Sequence, residues 1–241
     1  MCKCLPSWRS RPSVMFELKD GEKLDDLQSN GFMIIQDPND YCFTCDAVFL
    51  ANFSKAKHDE VVCDLCSGSA IVPTLMHLKN EFKKCFLVEI SSPACDRARR
   101  SCEGNGLMHF EIINAKIQDA TNFIKQKSVD VVTINPPYYK DNKPEGEKSL
   151  SKAIARREIE LSLEDIFKVS SKLLKFGGRF YMIHSSSRLD ECLTLMKKYK
   201  IEPKVLQFIH PKQGVESNVF LVEGKMNGSS GVKVLAPYYV R

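Results

Sequence analysis

The sequence predicts a doubly wound α/β fold, with a mostly parallel seven-stranded sheet, helices on both faces and an antiparallel closing pair of strands. Two observations predict it. From residue 60 onward, apolar runs of strand length alternate with stretches in which apolar residues recur every three or four positions. The last two runs are separated by the turn-rich segment HPKQGVES, which is typical of a hairpin. Strand–helix alternation implies parallel strands covered on both faces, because each helix carries the chain back across the sheet.

The candidate strands are seven apolar runs, most of them rich in valine, isoleucine or phenylalanine, which favour extended structure. In chain order they are VVCDL (61–65), CFLVEI (85–90), HFEII (109–113), VDVVTI (129–134), GRFYMIH (178–184), KVLQFI (204–209) and NVFLVE (218–223). Helical patterns lie between the first six runs. Two of these patterns are formed by Ile71, Leu75 and Leu78 and by Leu163, Ile166, Phe167 and Leu174.

Length and composition fit one globular core. The chain has 241 residues, of which 43% are hydrophobic and 27% charged. It contains no run of eighteen apolar residues, and its start, MCKCLPSWRSRP, lacks the apolar segment of a secretory signal. We therefore expect a cytoplasmic monomer with no membrane association.

The cysteines raise the question of a metal site. Cys42-x-x-Cys45 and Cys63-x-x-Cys66 fit the spacing of a four-cysteine zinc ribbon. However, neither pair has the short glycine-bearing knuckle that wraps zinc, and most of the ten cysteines fall inside apolar runs. We interpret them as reduced core residues and expect no metal.

Polar residues follow the strands where a doubly wound sheet binds its ligands, beyond the carboxyl ends. The first strand leads into DLCSGSA, from Asp64 to Ala70, where Gly68 permits close backbone approach and the next helix offers free amides. The second strand ends near Glu89, about twenty residues after the glycine turn, where an acid can accept hydrogen bonds from ribose hydroxyls. Together these features predict a cofactor that contains adenosine.

The fourth strand runs into Asn135-Pro136-Pro137-Tyr138, and prolines cannot continue a strand ladder. At this place the motif resembles that of class I S-adenosylmethionine methyltransferases which methylate an amine conjugated to a ring or carbonyl. Such an amine is a poor nucleophile, because its lone pair is delocalised. The side-chain oxygen of Asn135 and the carbonyl of Pro136 would accept its hydrogens and free the lone pair, and Tyr138 would stack on the base.

Longer segments are similar to the bacterial tRNA(Val) adenine-N6 methyltransferases, which modify the adenine beside the anticodon. This resemblance implies a Rossmann-like class I methyltransferase fold, S-adenosylmethionine as cofactor and tRNA as partner. It implies cofactor contacts at the positions matching Asp64, Gly68, Glu89 and Asn135, with the stretch from Phe43 to Ala47 lying over the cofactor. The segments that carry it are 23–53, NPPYYK (135–140), 152–184 and 208–225.

The resemblance also suggests a division of the chain. We expect an N-terminal extension over the cofactor site in residues 1–58, the methyltransferase domain in 59–225 and a C-terminal hairpin or tail in 226–241.

Six positions depart from the family pattern. Ala70, in the predicted cofactor loop, stands where the family usually has glycine, and Lys116 stands where it has the acid that would contact the cofactor adenine. Thr44 and Cys45 replace a common glycine and threonine, and Ser185-Ser186 replaces Arg-Pro. We therefore expect weakened cofactor affinity, with Lys116 as its main cause.

Three other functions remain open. Release-factor glutamine methyltransferases share NPPY, because a side-chain amide nitrogen presents a similar chemical problem. DNA adenine methylation would normally need a target-recognition insertion, which the loop from Asp141 to Lys152 is too short to provide. A catalytically silent RNA-binding protein is the third alternative, given the altered glycines and Lys116.

Basic residues suggest an RNA-binding surface. The stretch 197–212 carries five lysines against one glutamate, although the chain's net charge is only +5. The alternative is an ordinary solvated surface. The predicted RNA-binding residues are Arg156, Arg157, Lys198, Lys204 and Lys212.

Overall fold

The computed structural model describes residues 16–27, 31–40, 42, 44–137 and 161–240. The strands are β1 Lys23–Asp26, β2 Met33–Gln36, β3 Val61–Leu65, β4 Lys84–Glu89, β5 Phe110–Asn114, β6 Val129–Ile134, β7 Leu174–Ser185, β8 Ile201–His210, β9 Val219–Met226, β10 Lys233–Val234 and β11 Tyr238–Tyr239. The helices are α1 Cys45–Phe53, α2 Ile71–Lys79, α3 Ser92–Gly104, α4 Leu163–Leu173 and α5 Leu189–Lys198, with 3₁₀ turns at Ile117–Asn122 and Ser186–Arg188.

The main sheet confirms the predicted fold class. Its strand order is β10-β8-β9-β7-β6-β3-β4-β5, with β11 also paired to β8. Strands β3 to β7 are parallel to their neighbours within that group, and β9 is antiparallel to both β7 and β8. The seven predicted strands are all present. The two short strands of the C-terminal segment enlarge the sheet beyond the predicted seven.

One predicted boundary was wrong. We expected a strand over 178–184 and placed Leu174 on the preceding helix, but β7 already begins at Leu174, which pairs with Val129. The register with β6 then shifts by an irregularity before Val131 meets Arg179. Gly177 adopts a φ of 74° within this stretch. The glycine therefore lies at an irregular part of the strand rather than at a turn that precedes it.

Two hydrophobic clusters separate the faces of the sheet. On one face, α1, α2 and α3 pack on alternate strand residues such as Val62 and Val131. On the other face, the first 3₁₀ turn, α4 and α5 pack on the intervening strand residues, such as Cys63 and Val132. This alternation follows from the two-residue period of a strand. Within the described segments, no helix has the length and apolar character needed to cross a membrane.

The N-terminal segment is tied to α3 by polar contacts. Arg100 donates to both carboxylate oxygens of Glu22 at 2.7 Å and also to Asp96. The side chains of Arg100 and Glu22 are only 7% and 6% exposed, and the guanidinium holds the pKa of Glu22 below its ordinary value. Ser101 accepts from the backbone of Ile35 in β2. The β1–β2 hairpin therefore packs against α3, and α1 packs against α2.

The C-terminal segment is a tail and not a hairpin. Lys233–Val234 and Tyr238–Tyr239 both pair in parallel with β8, and the hairpin alternative for residues 226–241 was wrong. Two hairpin strands would pair antiparallel with each other. Here the segment instead satisfies backbone groups along the free edge of β8, which would otherwise be open to pairing with another chain.

We predict that Arg100→Met lowers the free energy of unfolding by about 3 kcal/mol or more, because it leaves the buried Glu22 carboxylate without the guanidinium that neutralises it. The matched control is Arg99→Met, since Arg99 is 52% exposed and lies 3.9 Å from Asp96. That change should stay within about 0.5 kcal/mol. Urea unfolding of both variants measures the difference, and equal shifts would show that the Arg100 contacts contribute little.

Candidate active site

The strand order reverses between β3 and β6. From β3 the chain builds outward through β4 and β5, whereas β6 and β7 lie on its other side. Such a reversal opens a crevice beyond the carboxyl ends of the two strands. Leu65 pairs with Ile134 in this register, so the loops that follow β3 and β6 begin side by side. These are the loops that carry the predicted cofactor and catalytic residues.

The loop after β3 has an unusual backbone. Cys66, Gly68 and Ala70 all have φ between 52° and 68°, in the left-handed region that only glycine adopts without cost. A Cβ on Gly68 would meet no protein atom within 4 Å, so its side open to solvent admits a ligand. Ala70 is fully buried at the start of α2. The loop therefore leads from the end of β3 directly into the first turn of α2.

Glu89, at the end of β4, braces this loop. One carboxylate oxygen accepts from the backbone amide of Gly68 at 2.9 Å, and the other accepts from that of Ser91 at 2.8 Å. Asn114 of β5 donates to the Glu89 carbonyl at 3.0 Å. Glu89 is 7% exposed. A carboxylate has about four acceptor positions, so two amide bonds leave room for two hydroxyl donors.

Asp64 lies beneath the loop, one residue before β3 ends. It is 2% exposed and accepts a hydrogen bond from the Thr133 hydroxyl, its register partner in β6. Burial raises the pKa of Asp64 to about 7; the Thr133 hydroxyl opposes that rise, and the nearby Glu89 carboxylate adds to it. We did not single out Thr133 from the sequence. Its signal is a hydroxyl inside the otherwise apolar run VDVVTI.

The segment after β6 leaves the sheet where the prolines predict it. The strand ends at Ile134, one residue before Asn135, and Pro136 is buried while Asn135 and Pro137 are half-buried. Pro136 has no amide hydrogen and cannot extend the ladder.

Four predicted site residues lie outside the described residues, namely Phe43, Tyr138, Arg156 and Arg157.

The predicted RNA-binding lysines do not come together. Strand β9 is antiparallel to both β7 and β8, so β8 runs in the same direction as β7. It therefore begins at the end of the sheet opposite the crevice and ends at the crevice edge. Lys198 precedes β8 and pairs with Glu164 at 2.5 Å. Lys204 lies within the strand, and Lys212 lies in the turn at the crevice edge. The lysines of 197–212 are therefore spread along β8 and beyond both of its ends, since its ten residues span about 30 Å, and their role in RNA binding stays a prediction.

Three of the residues that depart from the family pattern, Lys116, Ser185 and Ser186, follow or end strands at the crevice edge of the sheet. Lys116 is exposed two residues after the end of β5, Ser185 is the last residue of β7, and Ser186 begins the 3₁₀ turn that follows. In the part of the chain that the structure describes, no group of three or more His, Cys, Asp or Glu side chains is placed to hold a metal ion. Within the described residues, the four cysteines with zinc-ribbon spacing form no disulfide, and Cys63 is buried within β3.

With this geometry established, comparison with known proteins is informative. Residues 44–200 match the family model of the methyltransferase small domain. The chain belongs to this family. The match includes the loop after β3, Glu89 and the segment after β6, so the crevice lies within the region that defines the methyltransferase small domain.

Two relatives and one solved structure illustrate the likeness. A tRNA1(Val) (adenine(37)-N6)-methyltransferase from Phocaeicola vulgatus is 24% identical over 183 residues, which cover 76% of each chain. A protein of the same name from a Flavobacteriaceae bacterium is 24% identical over 191 residues, covering 72% of this chain and 78% of the relative. The crystal structure of M. jannaschii TYW2 in complex with AdoMet aligns with a TM-score of 0.59 at 14% identity, and the alignment covers 87% of each chain. This last likeness shows the shared fold.

We predict that Asp64→Asn changes how stability depends on pH. The folded protein keeps the Asp64 proton up to a pKa of about 7, whereas the unfolded chain releases it near pH 4. In wild type this group therefore lowers stability as pH rises through that window, by up to about 1.4 kcal/mol per pH unit. The amide cannot ionise. The difference in the free energy of unfolding between the variant and wild type should therefore grow in favour of the variant from pH 5 to 7 and stay constant above pH 7. Urea unfolding at a series of pH values measures this difference. If the free energies of the two proteins run parallel across this pH range, the raised pKa of Asp64 is contradicted.

Proposed function

We propose that this methyltransferase transfers a methyl group from S-adenosylmethionine to the exocyclic amine of an adenine in tRNA. The observation that carries this proposal is the placement of Asn135-Pro136-Pro137 beside the Gly68 loop at the point where strand order reverses. The names of the two tRNA1(Val) (adenine(37)-N6)-methyltransferases support adenine 37 of that tRNA as the target. A tRNA-modifying enzyme of this kind would act in the cytoplasm.

The residues present fit the cofactor. The Glu89 carboxylate has free acceptor capacity for ribose hydroxyls, and the open side of Gly68 lets a ligand approach the backbone. Ala70 leads into the first turn of α2, whose amides favour a negatively charged group. When bound, S-adenosylmethionine supplies an electrophilic methyl group. Glu89 would orient the ribose, and the rigid loop would hold the donor against the segment after β6.

Asn135 and Pro136 would activate the nucleophile. The amine of adenine donates two hydrogens, and the Asn135 side-chain oxygen together with the Pro136 carbonyl would accept them. Both acceptors draw the nitrogen towards a tetrahedral shape and stabilise the positive charge that develops on it. Because prolines limit backbone rotation, the carbonyl direction is set before the substrate arrives. No strong base is required, and Tyr138 would stack on the extruded base.

We predict that Asn135→Ala slows methyl transfer by about 100-fold or more, because one preorganised acceptor is lost from the transition state. Folding and cofactor affinity should change little, since β6 already ends at Ile134. The control is Asn122→Ala, at the exposed end of a 3₁₀ turn, which should react as fast as wild type. Single-turnover transfer of labelled methyl to a tRNA1(Val) transcript measures the rate, and mass spectrometry identifies the methylated nucleotide.

Two outcomes of that assay would contradict the proposal. Wild-type protein that methylates no tRNA would remove the proposed substrate. Asn135→Ala protein that reacts as fast as wild type would show that the segment after β6 is only a rigid turn, and that the methyl acceptor is bound elsewhere.

We predict that Lys116→Asp tightens S-adenosylmethionine binding by about fivefold, because it supplies an acceptor at the position after β5 where related enzymes carry an acid. The gain corresponds to about 1 kcal/mol, a typical value for one hydrogen bond. Lys125→Asp makes the same charge change at an exposed site before β6 and controls for charge alone. Calorimetric titration with the cofactor measures both, and equal changes would mean that Lys116 is not near the adenine.

A further inference from the structure

A second cleft lies on the sheet face that carries α1, outside the crevice described above. Its volume is about 360 Å³, at the lower end of the range for small-molecule sites. The floor is formed by apolar residues of the two outer long strands, Val205 and Ile209 of β8 and Leu221 of β9. Helix α1 contacts β7 and bounds the cleft on one side. The C-terminal segment along β8 bounds it on the other.

Aromatic side chains form the walls. Phe49 and Phe53 project from α1, and Tyr238 projects from β11. The rings of Phe49 and Tyr238 lie 5.2 Å apart and tilted by 58°, so the tail and the helix meet at one end of the cleft. Tyr238 is nevertheless 44% exposed. A flat ligand that enters the cleft therefore has aromatic faces available for stacking.

Charged groups surround this apolar floor. Lys55 and Lys233 line the cleft and are exposed, and among the described residues neither has an ion-pair partner. Glu223 also lines it and is half-buried, again with no ion pair within the described segments. Aromatic walls, two cations and one half-buried acceptor match the parts of a nucleotide. These parts are a base with π-faces, a phosphate and the N–H donors of the base edge. A purely apolar ligand would leave Glu223 buried without a donor.

The cleft is within reach of the candidate active site. Strand β8 is three positions from β6 in the sheet, which corresponds to about 14 Å at the usual strand spacing. Tyr238 and Tyr239 pair with Ile209 and His210, at the crevice edge. One single-stranded RNA loop can therefore contact both places.

We propose that this cleft binds an unpaired nucleotide of the RNA substrate, a few positions from the methylated adenine. This inference rests on the proposed function and extends it to a second contact with the same RNA. The base stacks against the aromatic wall with its edge towards Glu223, and Lys55 and Lys233 contact the neighbouring phosphates.

Binding and methylation of a tRNA1(Val) transcript by the full-length protein test the proposal. Tyr238→Ala should raise Kd and KM for the RNA by about 5- to 150-fold, the range for loss of one base–aromatic stack, and the loss should fall on KM rather than on kcat. Tyr238→Phe should retain most of the wild-type affinity, because stacking needs the ring and not the hydroxyl.

The salt dependence of RNA binding tests the two lysines. Lys55→Gln and Lys233→Gln should each flatten the slope of log K against log salt by about 0.7. Lys125→Gln, outside the cleft, should leave that slope as in wild type.

The outcomes separate this inference from the proposed function. If wild-type protein transfers no methyl group to tRNA, the proposed function fails. If methyl transfer proceeds and the Tyr238 and lysine variants bind RNA like the Lys125 control, the enzyme assignment stands and the cleft is not an RNA site. Cofactor titration of each variant checks that the fold is retained, and the lysine variants test the cleft even if Tyr238→Ala disturbs the tail.

Discussion

The pairing of β3 with β6 is the contact on which the candidate site depends. The chain leaves β3 for β4 on one side and returns in β6 on the other, so these two strands are neighbours only through tertiary structure. Their register is reinforced inside the sheet by the hydrogen bond from Thr133 to Asp64. A slip of β6 by one residue would move its side chains to the opposite face of the sheet and take Thr133 away from Asp64. Asn135 would then no longer lie beside the Gly68 loop.

The loop after β3 stores local strain that its surroundings offset. Left-handed conformations at Cys66 and Ala70 are unfavourable by about 1 to 2 kcal/mol each for residues other than glycine. The amide of Ser67 donates to Val88, the amide of Ala70 to Ser67 and the amide of Gly68 to Glu89. These bonds hold the loop in one conformation, and Glu89 links it to β4. The same carboxylate that we propose for ribose binding thus also holds the loop in shape.

The sequence predicted the centre of the fold better than its margins. The bounds of β3 and β6 were correct, because an apolar run ends where a polar loop residue or a proline interrupts it. The start of β7 was missed, since helix α4 passes directly into the strand and hydrophobic periodicity alone cannot separate the two at Leu174. The Asp64–Thr133 bond was also missed, because it depends on which strands become neighbours. The parallel pairing of the tail with β8 depends on an open sheet edge, which no local pattern reveals.

The distribution of charge along the chain is also a poor guide to its distribution in space, because tertiary structure decides which charged residues become neighbours. Lysines 198 and 212 are close in sequence, but β8 separates them by about 30 Å, several times the screening length of about 8 Å at physiological ionic strength. Lys198 is also paired with Glu164, so its field is largely compensated. An RNA loop bound at Asn135 can be influenced strongly only by groups at the crevice edge and on the nearby outer strands. Under the proposed function, Lys212 in the β8–β9 turn is therefore better placed than Lys198 to contact an RNA loop bound at Asn135.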